Sequence, residues 1–315
     1  MTALTTEELS FFKHYGYLLK SNAIPSSLCQ RLVDRMWASA PAHLDRDNPK
    51  TWTKISSENA SNDPLLVHQG TRWQLRSAST EQLLIDAAWH PTIVGWAEQL
   101  LGDGTLRKHT VGGKPMGSWG TAWPGGPVDP QLGEGVRGIY ATLPLGDEPS
   151  PDALHTDGHP FHLGVVLLLE DSPPNGGAFK IWPGSHRRFY PLFPMQYDQA
   201  RIPFYEHLPS FKGLIHPKEY LEEVRAVEAD TDPVDCHGKA GDLVFWHHRM
   251  GHMAGHNTAV PPCIRQAMLY DFCKTDLDTM RLTPPHEDMW QDWGQALQNA
   301  DAPVSNALKQ AQRLT

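Results

Sequence analysis

Leu163-Gly164-Val165-Val166-Leu167-Leu168-Leu169 is an unbroken apolar run of strand length, and its reading decides the fold. A water-facing helix would interrupt such a run with polar residues once per turn, and a half-buried strand would alternate. The run does neither, so it predicts a strand covered on both faces. Outward from it the same grammar repeats from about residue 105, with short apolar runs between Gly/Pro clusters. Val136-Arg137-Gly138-Ile139-Tyr140-Ala141-Thr142-Leu143 precedes it. Ala178-Phe179-Lys180-Ile181-Trp182 alternates, Gly241-Asp242-Leu243-Val244-Phe245-Trp246 follows a turn, and Arg265-Gln266-Ala267-Met268-Leu269-Tyr270-Asp271-Phe272 comes last. This is the pattern of a β-sandwich or barrel.

The flanks read differently. Thr5-Thr6-Glu7-Glu8 is a capping box that opens a helix to about His14, closed by Gly16. Tyr17-Leu18-Leu19 is a short strand. Ile24-Pro25-Ser26-Ser27 starts a second helix with Leu28, Leu32, Val33 and Met36 on one face. Residues 40–80 are polar and irregular, Thr80-Glu81 begins a helical stretch, and a helix runs from Pro91 to Leu101 and stops at Gly102. Two long stretches, 112–135 with Trp119 and Trp123 and the aromatic-rich 187–235, are expected as binding loops or lids. The segment after Pro284 reads as a peripheral helical tail. The expected organisation is one domain over 1–315: helical support in 1–104, a β core in 105–275 and a tail in 276–315.

Composition narrows the partners. Lys and Arg number 27 against 36 Asp and Glu, a net charge of −9, so no basic face for nucleic acid or an anionic membrane is expected. No apolar run reaches the roughly 18 residues of a membrane span. Met1-Thr2-Ala3-Leu4-Thr5-Thr6-Glu7-Glu8 lacks the basic-then-apolar order of a signal peptide. A cytoplasmic protein acting on a small molecule is expected, and oligomeric state leaves no sign in the sequence. Cys29, Cys236, Cys263 and Cys273 form no C-x-x-C pair and are expected as reduced, packed thiols.

The chemistry begins with His-x-Asp, whose side chains at i and i+2 of a strand or tight turn can share one metal. The tripeptide occurs three times, at His43/Asp45, His155/Asp157 and His286/Asp288, where composition alone makes about one expected. The first lies in a Pro-flanked polar loop and the last in the tail, where helical geometry would spread i and i+2 apart. Only His155 and Asp157 stand at the edge of the β core. A further ligand must come from elsewhere, and residues 241–257 offer His247, His248, His252 and His256. Two imidazoles and one carboxylate on one face leave three open positions, the arrangement of non-heme Fe(II) oxygenases. Such an enzyme needs electrons for O2. 2-Oxoglutarate supplies them, chelating iron through its keto and C1 carboxylate oxygens, while its distal carboxylate needs a cation such as a bidentate arginine. Arg265, 13 residues after His252 at the start of a strand, fits that need.

These pieces resemble the phytanoyl-CoA dioxygenase family of Fe(II)/2-oxoglutarate-dependent oxygenases. The similar segments are Leu4–Glu8 to Gly16-Tyr17-Leu18, His90-Pro91 to Leu100-Leu101-Gly102, His155-Thr156-Asp157, Asn175-Gly176-Gly177 to Trp182-Pro183-Gly184-Ser185-His186, Gly241-Asp242, His252 to Asn257, and Arg265. They span about residues 5–272. The resemblance selects His252, which lies eleven residues after Gly241 and five before Asn257; His247, His248 and His256 fit neither count. It implies a mainly β fold with peripheral α-helices, a cupin-like double-stranded β-helix or jelly roll. It implies Fe(II) on His155, Asp157 and His252, 2-oxoglutarate on Arg265, O2 as oxidant, and a hydroxylase releasing succinate and CO2. Many relatives place a Ser two residues after the arginine; here it is Ala267, which leaves Tyr140 and Thr142 as candidate co-substrate contacts. Trp182 and His159 are candidates for the substrate. Related halogenases resemble this pattern with a small residue in place of Asp157, so the carboxylate implies hydroxylation or a related oxidation. No basic cluster suited to the phosphates of coenzyme A is evident, and an acyl-CoA substrate is not carried over. Two other readings remain open: a cupin-like metal hydrolase or 2-oxoglutarate-independent oxygenase, which would not need Arg265, and a non-catalytic β-sandwich, which would bind no metal.

Overall fold

The structure, a computed structural model, describes residues 3–61, 63, 66–75, 81–107, 137–144, 154–157, 161–192, 218–280 and 283–314. Its strands are β1 (Tyr17–Lys20), β2 (Leu66–Gln69), β3 (Arg72–Leu75), β4 (Gly138–Thr142), β5 (Leu163–Leu168), β6 (Phe179–Ile181), β7 (Val234–Asp235), β8 (Leu243–His247), β9 (His252–Ala254) and β10 (Arg265–Phe272). They form a larger antiparallel sheet in the order β1-β8-β5-β10-β4-β3-β2 and a smaller one in the order β7-β6-β9. His155 bridges His252 on the edge of β9 away from β6, which adds the metal-site segment to the smaller sheet. The two sheets face one another: the Phe179 ring of the smaller lies 5.4 Å from the Trp246 ring of the larger. This is the expected jelly roll.

β5 is buried at all six positions, as its composition requires, between β8 and β10. Gly164 interrupts the branched residues for a steric reason. A Cβ there would lie 2.1 Å from the Trp246 ring, which itself lies 4.4 Å from the His252 ring between centroids. Gly164→Ala is therefore expected to push the indole against His252 and to destabilise the fold by about 1–3 kcal/mol, the usual range for overpacking. A thermal melt checks this, and an unchanged midpoint would show that the indole has room to move.

The outer face of the larger sheet is covered by α1 (Thr6–Tyr15), α2 (Ser26–Trp37), α3 (Gln82–Ala88) and α4 (Pro91–Leu101). Rings make the contacts: Trp37 on Trp73, Trp89 on Phe272 and Trp96 on Phe245. Thr5 and Glu8 form the capping box, and Gly16 closes α1 at φ 79°.

Three expectations need correction. Residues 40–80 are not irregular throughout, because β2 and β3 form a hairpin that extends the larger sheet; the N-terminal part supplies strands as well as helices. The tail is not peripheral, since Trp290, Trp293, Leu297 and Ala300 belong to the main core. Its helices are short, and Gln312 near the end caps the free edge of β1: its amide accepts from Leu19 N at 2.6 Å and donates to Leu19 O at 3.0 Å, in the manner of a neighbouring strand. His286 lies in a loop beside Asp292 rather than on a helix. Within 187–235 the described residues include the end of α5 (Ser185–Phe189) and the whole of α6 (Lys218–Asp230). Trp119, Trp123 and the middle of that stretch lie outside the described residues.

Candidate metal centre

His155, Asp157 and His252 come together. Each offers one ligand atom, and these atoms lie within 4.8 Å of one another in a buried site. His252 Nε2 stands 3.7 Å from Asp157 Oδ2, and the two imidazole centroids are 4.5 Å apart. The backbone sets this up: His155 and His252 exchange both main-chain hydrogen bonds, at 3.0 and 2.9 Å, so their side chains leave the same face of the smaller sheet. His252 Nδ1 lies 2.9 Å from Met250 O. A carbonyl can only accept, so Nδ1 carries the proton and Nε2 presents its lone pair to the centre. Two nitrogens and one carboxylate oxygen, with one imidazole held in the ligating tautomer, fit a ferrous ion bound on one face.

The motifs around the triad each do local work. Gly184 turns at φ 82° after Pro183, and the following Ser185 Oγ accepts from Gly251 N at 2.9 Å, which fixes the residue before His252. Asn257 Nδ2 donates to Thr142 O at 2.9 Å and to Cys263 O at 2.8 Å, tying the loop after β9 to β4. Gly177 has φ 81°, and a Cβ there would meet Asn257 Cβ at 2.9 Å.

Arg265 sits in the box these residues build. Nε donates to Gly177 O at 2.8 Å, Nη1 to Tyr140 O at 3.3 Å and Nη2 to Thr142 Oγ1 at 2.9 Å. These three acceptors are neutral oxygens, so they fix the plane of the guanidinium without cancelling its charge. Thr142 touches Arg265 through its hydroxyl and Tyr140 through its carbonyl. Strand alternation puts Arg265, Ala267, Leu269 and Asp271 on the inner face of β10, opposite Thr142 and Tyr140 of β4. Gln74 and Arg72 of β3 are in register with Tyr140 and Thr142 and continue that face as a polar strip.

Three residues beside the triad escaped the sequence reading. Arg137 Nη1 donates to Asp157 Oδ2 at 2.8 Å, while Nε and Nη2 form a fork on the Asp271 carboxylate at 2.7 and 2.6 Å. Burial opposes the charge on Arg137, and the Asp271 and Asp157 carboxylates more than offset it, so its pKa rises. Tyr220 of α6 accepts at its hydroxyl oxygen from Thr156 N, 2.8 Å away, holding the residue between the two ligands. Alternation could have placed Asp271 on the face of Arg265. It could not have placed Arg137, because Gly138 at φ 142° breaks the alternation directly after it.

The remaining histidines separate. His247 and His248 stack at 4.3 Å in a buried cluster with His186, Trp290 and Trp293, and His256 is exposed. Trp182, a candidate for the substrate, is buried in the smaller apolar cluster with Leu154, Phe189, Tyr220, Val227 and Met253. His159 lies outside the described residues.

Burial pushes the imidazoles of His162 and His186 down to about 3, and those of His247 and His248 well below the ordinary value. Folded, they stay neutral; unfolded, they protonate near pH 6.5. Below that pH the unfolded chain binds protons that the folded chain does not, so stability is complete above about pH 6.5 and is lost as pH falls toward 3. Between about pH 7.5 and about pH 5.5 the expected loss is about 1 kcal/mol per buried imidazole. Denaturant midpoints at the two values check it, and equal midpoints would contradict it.

A jelly roll that encloses two imidazoles and a carboxylate, with a boxed arginine across the sheet, defines a non-heme Fe(II)- and 2-oxoglutarate-dependent oxygenase. The profile of the phytanoyl-CoA dioxygenase (PhyH) family matches residues 12–262, and the chain belongs to that family. The enzyme is accordingly an Fe(II)/2-oxoglutarate-dependent dioxygenase, with Fe(II) as cofactor and 2-oxoglutarate and O2 as co-substrates. Among solved structures it is similar in fold to the non-heme alpha-ketoglutarate-dependent carbocyclase SnoK from nogalamycin biosynthesis, at 18% identity over 92% of this chain and 95% of that one, TM-score 0.52. It is also similar to EctD from S. alaskensis with bound Fe, at 15% identity over 90% of this chain and 80% of that one, TM-score 0.50. No curated protein matches the sequence. Among the described residues no helix is long and apolar enough to cross a membrane.

Proposed function

We propose that His155, Asp157 and His252 hold the Fe(II), that Arg265 with Thr142 receives the distal carboxylate of 2-oxoglutarate, and that the enzyme hydroxylates a small-molecule metabolite with release of succinate and CO2. The observation that carries this reading is the meeting of three side chains from two distant segments, ligand atoms within 4.8 Å, in a buried site. Bound Fe(II), with 2-oxoglutarate as the source of electrons, supplies O2 activation and oxidation of a substrate C–H bond.

The chain's own residues do the rest. Asp157 contributes the one negative charge among the ligands, and the Met250 carbonyl keeps His252 in the ligating tautomer. Arg265 offers a planar fork already oriented by Gly177, Tyr140 and Thr142, so little freedom is lost when a carboxylate docks. Ala267 and Leu269, on the same face as Arg265, offer apolar side chains that would not compete for the co-substrate's carboxylate. Phe161, Phe179 and Trp246 place aromatic carbon beneath the site, and Phe179 and Trp246 touch the His252 ring. That floor keeps water from the buried side of the centre. Among the described residues Cys29, Cys236 and Cys263 form no disulfide, which supports a reducing compartment such as the cytoplasm.

Anaerobic loading with Fe(II) and 2-oxoglutarate, then exposure to O2 with a metabolite panel, tests the reading. Succinate release stimulated by one class of metabolite, with one hydroxylated product per succinate, is the expected result. Absence of any metal-dependent consumption of 2-oxoglutarate would overturn it.

A further inference from the structure

The Asp157 carboxylate is not held by the fold alone. Its Oδ2, the oxygen that faces His252 Nε2, accepts a 2.8 Å hydrogen bond from Arg137 Nη1. The rest of the Arg137 guanidinium is gripped by Asp271 through two hydrogen bonds of 2.7 and 2.6 Å. Its flat face lies 5.1 Å from the Phe161 ring centroid and 5.7 Å from that of Trp246. All three charged residues are almost completely buried, Arg137 at 3% exposure, Asp157 at 0% and Asp271 at 3%.

We propose that Arg137 and Asp271 form a positioning device for the iron carboxylate, in which Arg137 sets the orientation of Asp157 and Asp271 restores the negative charge that Arg137 would cancel. The inference rests on the metal-site reading above.

Two physical arguments lead there. An Asp side chain turns about two bonds, and a carboxylate free to turn must give up that freedom whenever a metal binds. A guanidinium fixed on one side by a fork and on its faces by two rings leaves the carboxylate one orientation before the metal arrives. The second argument is electrostatic. Arg137 alone would neutralise Asp157 and leave a dication facing two neutral imidazoles. With Asp271 in the fork, the three buried groups together keep one negative charge, the same as an unassisted aspartate would present. Strand β10 thus serves the centre at both ends, with Arg265 for the co-substrate and Asp271 behind the metal carboxylate.

A purely structural ion pair between β10 and the residue just before β4 would make the same contacts, so the test separates charge, orientation and folding. Co(II) is titrated into the full-length protein, with its visible d–d absorption as a reporter of ligand geometry and a thermal melt as the control. Arg137→Met alone strands two buried carboxylates and is expected to fold poorly. The pair Arg137→Met/Asp271→Asn removes that burden and keeps the single negative charge. Its expected result is a Co(II) Kd raised about 10- to 100-fold, the range for partners behind a ligand, together with a changed d–d spectrum. Asp271→Asn is nearly isosteric and leaves the guanidinium charge uncompensated; a Kd raised about 10-fold or more with a little-changed spectrum is expected. A folded double variant with the wild-type Kd and spectrum would overturn the proposal. Should the double variant not fold, a wild-type Kd in Asp271→Asn would overturn it equally. Failure of the wild-type protein to bind Co(II) is a different result and would withdraw the metal-site reading itself.

Discussion

Asp157→Ala is expected to abolish Fe(II) binding and 2-oxoglutarate turnover together. Asp157 is the single anionic group among the candidate ligands, and its loss would leave a dication on two neutral imidazoles. Changes to groups behind a metal ligand typically cost 10- to 100-fold in affinity, so loss of the ligand is expected to exceed about 100-fold. Folding is expected to survive, because Arg137 keeps its two hydrogen bonds to Asp271 when Asp157 is gone. Equilibrium titration with Fe(II) under anaerobic conditions, alongside a melt, is the measurement. A folded variant that still takes up one equivalent of iron at wild-type affinity would place the metal elsewhere.

Arg265→Ala is expected to act on the co-substrate and leave the metal alone. Losing one partner of a buried, hydrogen-bonded charge pair costs about 2–5 kcal/mol, which is at least about 30-fold in affinity. The expected readout is a KM for 2-oxoglutarate raised by that factor or more with an unchanged Fe(II) Kd. Arg265→Lys is expected to recover only part of the loss, because an ammonium cannot donate to Gly177, Tyr140 and Thr142 and also present a planar fork. An unchanged KM in the alanine variant would remove the reason to assign this arginine to 2-oxoglutarate, and would favour a metal hydrolase.

Much of the fold was legible because its signals are local. The 163–168 strand is apolar at every position and is buried at every position. The capping box of α1 and the Pro91–Leu101 helix are written in adjacent residues. What escaped was long-range. The hairpin of β2 and β3 has strands of four residues with polar side chains on one face, and it is stabilised by Trp73 packing under Trp37, a contact no window of sequence contains. The tail reads as helical and peripheral, yet Trp290 and Trp293 reach the histidine cluster and the core.

The site divides in the same way. His155 and Asp157 could be singled out because they border the β core. Four imidazoles within ten residues of one another could not be ranked by chemistry; family resemblance chose His252, and the geometry brings it to Asp157 while sending His247 and His248 into the tryptophan cluster. Arg265 was visible as a charge at the start of a strand, and its box explains why Gly177, Asn257 and Thr142 stand where they do. Arg137, Asp271 and Tyr220 carried no spacing signal toward Asp157, because their partnership depends on how three separated segments pack.

The most direct measurement is the visible absorption of the anaerobic protein as Fe(II) and then 2-oxoglutarate are added. Chelation of ferrous iron by a keto acid gives a metal-to-ligand charge-transfer band. The band is expected to saturate at one equivalent of iron in the wild type, to be absent in Asp157→Ala, and to need a much higher 2-oxoglutarate concentration in Arg265→Ala. A wild-type protein that binds iron without developing the band, or an Asp157→Ala variant that develops it in full, would contradict the assignment of the centre.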